Sequence, residues 1–509
     1  MARFVDLPSE VLLIICTFLR QRELAVLSRC HSTLIPIARR YLYEALQLRE
    51  IGLHHLTKFM SDNPDMAKLV KSVKVDGSSH KIGLPDLQSP IHYDELYAQI
   101  IKHWSVSQEE ADLWSIKFDS DQLDHRNEAH LAVLLTQLTE LKSLDLAMPI
   151  MDCRFDESDD DTTMVYDLDN SMVWRVLQRH GAHDLPSELR SSLSKVTNFT
   201  IRGELAYNEA WPTGELGQNG FPLDEALYMA TSFENLERLV VERGWICERP
   251  PPGSTIALPT SLTKLELLDC RFDQYFGDLE DLLSAIRPLQ SLVIQLSDVC
   301  FCDEDGHAIP PEDVEEDWYI DASLLTSAME SHAHSIQDLF IANHPFDHEP
   351  GAMQPSDSLS KFSNLRRLVI DTRFIPFPDW DEFAGDIDDI IDFFPTSLEE
   401  LRISTFSGLW AKENLWALGE LLQMQNQVPA LKLLAIDLAH RFNYGDSGDL
   451  YQLTTDVKKT ADTRKIDFLI TITSCDQSLP NEQRAESTLW NASSNALWDG
   501  WRDLDIVRI

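Results

Sequence analysis

The chain has 509 residues, with 43 Lys and Arg against 84 Asp and Glu, and a formal net charge of −41 at pH 7. So acidic a chain repels phosphate backbones, and its longest basic runs are pairs such as Lys458-Lys459 and Arg366-Arg367, so no nucleic-acid partner is expected. Composition is that of a folded protein, 43% hydrophobic and 25% charged, and no apolar run approaches the roughly 20 residues that cross a bilayer, so no membrane association is expected.

Leu12 to Leu19 is apolar, but Asp6 and Glu10 precede it and no small-residue cleavage site follows, so it does not read as a signal peptide. Eight cysteines without regular spacing fit reduced thiols. The expected compartment is the cytoplasm, the nucleus or both.

The first patterned stretch is Leu7 to Arg40. Leu7-Pro8 opens a helix, where a missing N–H costs nothing. Ser9 and Glu10 put oxygen and negative charge at its first turn. Val11, Ile14, Ile15, Phe18 and Leu19 recur at helical spacing and make an apolar face, with Leu12 and Leu13 mostly off it. A helix apolar over more than half its circumference is normally buried, and thirty-odd residues cannot bury both of its sides. Arg20 to Glu23 is a polar turn, Leu24, Leu27 and Ser28 begin a second helix, and Leu34, Ile37 and Ala38 mark a third with Pro36 in its first turn.

This pattern resembles the F-box. The family's Leu-Pro-x-Glu and following hydrophobic pair match Leu7-Pro8-Ser9-Glu10-Val11-Leu12. Ile15, Leu19, the Leu24-x-x-Leu27-Ser28 run, Cys30 and Tyr41-Leu42-Tyr43 continue the match over about 40 residues. The resemblance implies docking on the adaptor subunit of SCF-type ubiquitin ligases, and through it on a cullin. The residues it assigns to the adaptor are Leu7, Pro8, Val11, Ile14, Ile15, Phe18 and Leu19, supported by Leu24 and Leu27.

Tyr41 to Leu48 reads as a connecting strand or helix end, and Leu53 to Met60 as a short amphipathic helix. From Leu69-Val-Lys-Ser-Val-Lys-Val75 onward one sentence recurs: apolar-x-x-apolar-x-apolar. Its copies start at Leu141, Val196, Leu236, Leu262, Leu289, Ile336, Leu365, Leu398 and Leu431, with a weak copy from Ile466 to Thr471. The pattern resembles the leucine-rich repeat, in which each copy gives one strand and neighbouring strands stack in parallel. Central residues are 27 apart from Leu265 to Leu292 but 55 apart from Leu144 to Phe199, so several copies carry insertions. The family's Asn or Cys after the strand is mostly absent. The expected fold class is α/β: a three-helix F-box over residues 1–48, an irregular leucine-rich solenoid over 49–475 with its strands on the concave face, and a Trp-bearing C-terminal cap over 476–509. A parallel α/β fold of another type has the same strand–helix alternation.

In each copy the residue between the last two apolar positions is expected on the open sheet face. Those residues are Asp145, Thr200, Val240, Glu266, Val293, Phe340, Val369, Arg402, Ala435 and Ile470. Val293, Phe340 and Val369, edged by Glu266 and Arg402, suggest an apolar substrate groove, since contiguous exposed apolar surface marks interaction sites. Cover by an insertion or by the tail is the competing reading.

Motifs for chemistry are weak. Cys300-Phe-Cys302 lacks a second cysteine pair for a metal, and His344 to His348 spans Pro345. The acidic run from Asp156 lacks the calcium-loop glycine, and no P-loop, GxSxG or HExxH occurs. No catalytic residue, metal or cofactor is therefore assigned. The functional expectation is a non-catalytic substrate receptor of an SCF-type ligase, with an unknown protein as its target. A leucine-rich scaffold without a ligase role is the alternative.

Overall fold

The computed structural model describes residues 4, 7–48, 53–75, 101, 105, 107–119, 123–147, 153–155, 164–166, 171–181, 193–203, 221–245, 259–273, 277–300, 320–343, 353–354, 356–377, 387–406, 411–424, 427–439 and 447–473. The C-terminal cap, the acidic insertions around Asp156, Asp303 and Glu312, and the His344 to His348 segment lie outside these residues.

The fold is α/β, and its main element is a twelve-stranded parallel sheet whose spatial order equals chain order. The strands are β1 (Ala45–Leu48), β2 (Ser72–Val75), β3 (Ser143–Ala147), β4 (Asn198–Arg202), β5 (Arg238–Glu242) and β6 (Lys264–Asp273). They continue with β7 (Ser291–Cys300), β8 (Asp338–Asn343), β9 (Arg367–Asp371), β10 (Glu400–Phe406), β11 (Leu433–Ala439) and β12 (Asp467–Thr473). Every strand from β2 is a copy of the recurring sentence. β1 is the strand that Tyr41 to Leu48 left open, and it pairs with β2 through Leu46 against Val73 and Leu48 against Val75.

The chain divides into two compact units, and the division falls inside β5, between Leu239 and Val240. Residues 1–48 share the first unit with β1 to β4.

In the first unit, Val73, Leu144, Phe199 and Leu239 are fully buried, and Val75, Leu146 and Ile201 lie on the same side of the sheet and are buried too. In the second unit, Leu265, Leu292, Leu339, Leu368 and Leu401 are fully buried and in register. The leading apolar residues from Leu141 to Ile466 are buried as well. They sit in the turn before each strand, so one side chain anchors the turn and two more anchor the strand.

Those turns carry a second regularity. The N–H of the residue before a strand, or in β12 of its first residue, donates to the carbonyl of the residue before the preceding strand. In the first unit the chain of bonds runs Lys71 to Glu44 (2.8 Å), Lys142 to Lys71 (2.8 Å), Thr197 to Lys142 (2.9 Å) and Glu237 to Thr197 (2.8 Å). In the second it runs from Gln290 to Thr263 and on through Gln337, Arg366, Glu399 and Lys432 to Asp467, at 2.7–2.8 Å. Glu44–Lys71 and Glu399–Lys432 add ion pairs along the same line, at 2.8 and 2.5 Å. Exposed pairs of this kind contribute little each. The backbone bonds fix the register.

The last copy corrects the sequence frame. Leu434 pairs with Phe468 and Ile436 with Ile470, so the outward residue of β12 is Leu469 and not Ile470. The cause lies in the helix Ser447–Arg464, which runs almost into the strand. It ends with Lys465 in the left-handed region at φ 61°, and the Ile466 N–H bonds back to Ala461 O at 2.9 Å. This helix stop places Ile466 one residue later than the leading position of the other copies.

One buried histidine ties the second unit together. His332 Nε2 donates to Leu283 O (2.8 Å), and its Nδ1 accepts the Leu289 N–H (3.0 Å). The neutral ring is required, because a protonated Nδ1 would face another donor. Burial accordingly holds the His332 pKa below its usual value. A His whose folded pKa is depressed is stabilising at neutral pH, and the benefit is lost as pH falls below about 6.5. His332→Ala is expected to cost about 2–4 kcal/mol at pH 7, from two lost bonds, an orphaned N–H and a cavity. The gap to wild type is expected to narrow by up to ~1.4 kcal/mol per pH unit below 6.5. Urea denaturation of both chains across pH 5 to 8 measures it, and a pH-independent gap would refute it.

Candidate functional site

The site is built on three helices: α1 (Ser9–Thr17), α2 (Gln21–Cys30) and α3 (Ile35–Glu44). Pro8 precedes α1 with ψ 145°, and its carbonyl accepts the N–H groups of Val11 (3.0 Å) and Leu12 (3.1 Å). Glu10 supplies charge at that turn. Glu23 Oε2 accepts the Arg20 N–H at 2.8 Å and starts α2. Pro36 sits in the first turn of α3, and Leu34 and Ala38 point into the interior. Gln21 Nε2 donates to Ala45 O and ties the start of α2 to β1.

The burial pattern of α1 decides what the module offers. Leu12 and Cys16, four residues apart, are buried. Val11, Ile14 and Phe18 lie on the opposite side and are exposed, Ile14 at 60% and Phe18 at 81%. Of the face that periodicity picked out, Val11, Ile14 and Phe18 are outward, and Ile15 and Leu19 are half-buried. A nine-residue helix with apolar residues on both sides presents one side to the interior and leaves the other exposed, without cover among the described residues.

The other assigned residues divide. Pro8 is exposed beside the ridge, while Leu7, Ile15, Leu19 and Leu27 are half-buried. Leu24 is buried, so it holds the module together and offers no surface. Sequence reasoning missed Val26, which is 58% exposed, and Phe4 at 43%. Val26 lies two residues from buried Leu24, about 200° around the helix, and that separation was the available signal.

The second assigned site is corrected. Register places Glu266, Val293, Phe340, Val369, Arg402 and Ala435 in one row across β6 to β11, as the spacing implied. The row is not open. Val293, Phe340 and Val369 are each 2% exposed and pack in one cluster with Val240, Leu268 and Ala342. Glu266 and Arg402 are buried too. The physical reason is that parallel strands are usually covered on both faces and then read as continuous apolar runs, such as Leu-Val-Ile and Leu-Phe-Ile here. The apolar residue at the outward position therefore records cover and not a groove. In the first unit the same row is polar, running Gln47, Lys74, Asp145, Thr200, and is at least partly exposed. There Arg202 Nε bonds Asp145 Oδ1 at 2.7 Å and its Nη2 bonds Val75 O at 3.0 Å.

Among the described residues no group of three or more His, Cys, Asp or Glu side chains is placed to hold a metal. Burial pushes the thiols of Cys16 and Cys270 up, which keeps them protonated and weakly nucleophilic. No described helix is long and apolar enough to cross a membrane. No family model matches the chain, and a search of curated proteins returns no significant match.

Proposed function

We propose that the chain is a substrate-recognition subunit of an SCF-type (cullin-RING) ubiquitin ligase. On this reading residues 1–48 are an F-box that docks on the adaptor and, through it, joins a cullin. The twelve strands are a leucine-rich solenoid that holds a protein target. The chain does no bond chemistry; it brings a target near the ubiquitin-carrying enzyme, and proximity is its contribution.

One observation carries the reading: a helix opened by Leu-Pro-Ser-Glu exposes Val11, Ile14 and Phe18 on the face that the F-box resemblance assigns to the adaptor. Covering each such side chain is worth on the order of 1.5–3 kcal/mol before association costs, enough together for a stable dock. The solenoid reading is supported by the sequential strand order and by the repeated backbone bonds between turns.

The test uses the full chain and purified adaptor. Co-elution as a one-to-one complex, then recruitment of cullin by that complex, is the expected result. Absence of complex at micromolar concentrations, with the chain folded by circular dichroism, overturns the proposal. Adaptor binding without cullin recruitment favours the scaffold alternative.

A further inference from the structure

We propose that Thr17 is a phosphorylation site whose occupancy disconnects the chain from its adaptor. The inference rests on the docking role of α1 given above and concerns its regulation.

Thr17 is the last residue of α1 and is exposed. It lies next to Phe18 in sequence and one helical turn from Ile14, on the outward side of the helix. Its Oγ1 makes a bond to Ile14 O at 2.7 Å, a local contact that opens when the final turn frays. The helix stops there, and the chain leaves it through Phe18 and Leu19 to Arg20, which is extended at φ −72°, ψ 158°. Arg20 and Arg22 follow at three and five residues, and both are exposed. An accessible hydroxyl ahead of an exposed basic pair suits a protein kinase with acidic groups on the C-terminal side of its acceptor site. The step moves the γ-phosphoryl group of ATP to Thr17 Oγ1. An O–P ester bond forms, the bond to ADP breaks, and the hydroxyl proton leaves with the kinase base.

A phosphate at this position acts against docking in three ways. It carries about −1.5 to −2 charges at pH 7 and strong acceptor oxygens, which an apolar contact would have to strip of water. It stands at the negative end of the helix dipole, and the last turn of α1 contains no basic residue to offset it. Arg20 and Arg22 are exposed and within reach to pair with it in the free chain, so the charge is satisfied there without docking. A single modification thereby sets a charge beside the exposed Ile14 and Phe18.

The test has two arms on the full-length chain. In the first, a kinase selecting basic residues after its acceptor, with ATP, is expected to modify Thr17 by mass spectrometry, and Thr17→Val to remove that site. No phosphate at Thr17 overturns the proposal. In the second, the chain carrying phosphothreonine at position 17, installed during synthesis, is expected to bind purified adaptor at least 100-fold more weakly than the unmodified chain. Thr17→Val is expected to bind within threefold of it. Equal binding of the phosphorylated and unmodified chains overturns the switch and leaves the docking role standing. No binding by the unmodified chain removes the docking role, and the switch with it.

Discussion

Ile14→Asp combined with Phe18→Asp is expected to abolish adaptor capture while leaving the melting temperature of the chain within a degree or two of wild type. Both side chains are more than half exposed, so neither substitution opens a cavity or buries a charge. Central apolar anchors of an interface cost roughly 2–4 kcal/mol each when lost, so the pair should weaken binding by about a thousandfold or more. The contrast is Leu12→Asp, one position from Val11 but 4% exposed, which puts a carboxylate into the module's interior and should unfold it. Adaptor binding retained by the double variant would show that the ridge is not the docking face. Adaptor binding lost together with a collapsed melting transition would show that the ridge is structural. Only the first pattern, binding lost and stability kept, agrees with the proposed function.

Glu128→Ala is expected to destabilise the first unit by about 3–5 kcal/mol. Three helices meet at this carboxylate: α4 (Gln108–Asp119), α5 (Leu123–Leu135) and α6 (Met172–Gly181). Lys117 Nζ lies 3.6 Å from Glu128 Oε2, and both side chains are at least 95% buried. Ser171 Oγ donates to Glu128 Oε1 at 2.5 Å and accepts the Trp174 N–H at 3.1 Å, so Glu128 and Ser171 together cap α6. The carboxylate also sits where the dipole of α6 is positive. Removing it takes the counter-charge from a buried ammonium and the acceptor from the cap. Replacing the pair by Glu128→Leu with Lys117→Met tests the cause, because apolar substitutes for a buried ion pair are often neutral or stabilising. Chemical denaturation should rank the double variant well above Glu128→Ala. A single variant within ~1 kcal/mol of wild type would show that water already reaches the pair.

Legibility from sequence followed the range of the signal. The strand sentence was readable because its apolar spacing is local and repeats. It located β2 to β11 and the row Glu266 to Ala435 in correct register. It failed by one residue at β12, where a helix stop at Lys465 changed the lead-in. That α1 is apolar on two sides was readable for the same local reason. Which of the two faces out was not readable from periodicity, because Val11 and Leu12 are chemically alike and only tertiary packing separates them. The cover over Phe340 was hidden too, since a β-branched or aromatic residue suits a strand whether its second face is wet or dry. Lys117 and Glu128 sit on separate helices and look like ordinary surface charges until those helices are paired.

The bonded turns ahead of the strands bear on how such a chain can change. Successive strands are aligned at their first residues, by backbone groups that any residue but proline supplies. Nothing in that alignment depends on how much sequence lies between one strand's end and the next turn. The intervals run from 26 residues, Leu239 to Leu265, to 71, Val73 to Leu144, and the long interval leaves the frame of the paired strands unshifted. Insertions and deletions in those intervals are therefore nearly neutral for the scaffold. Lineages can lengthen, shorten or recharge them one at a time while the twelve strands and the N-terminal helices stay as they are.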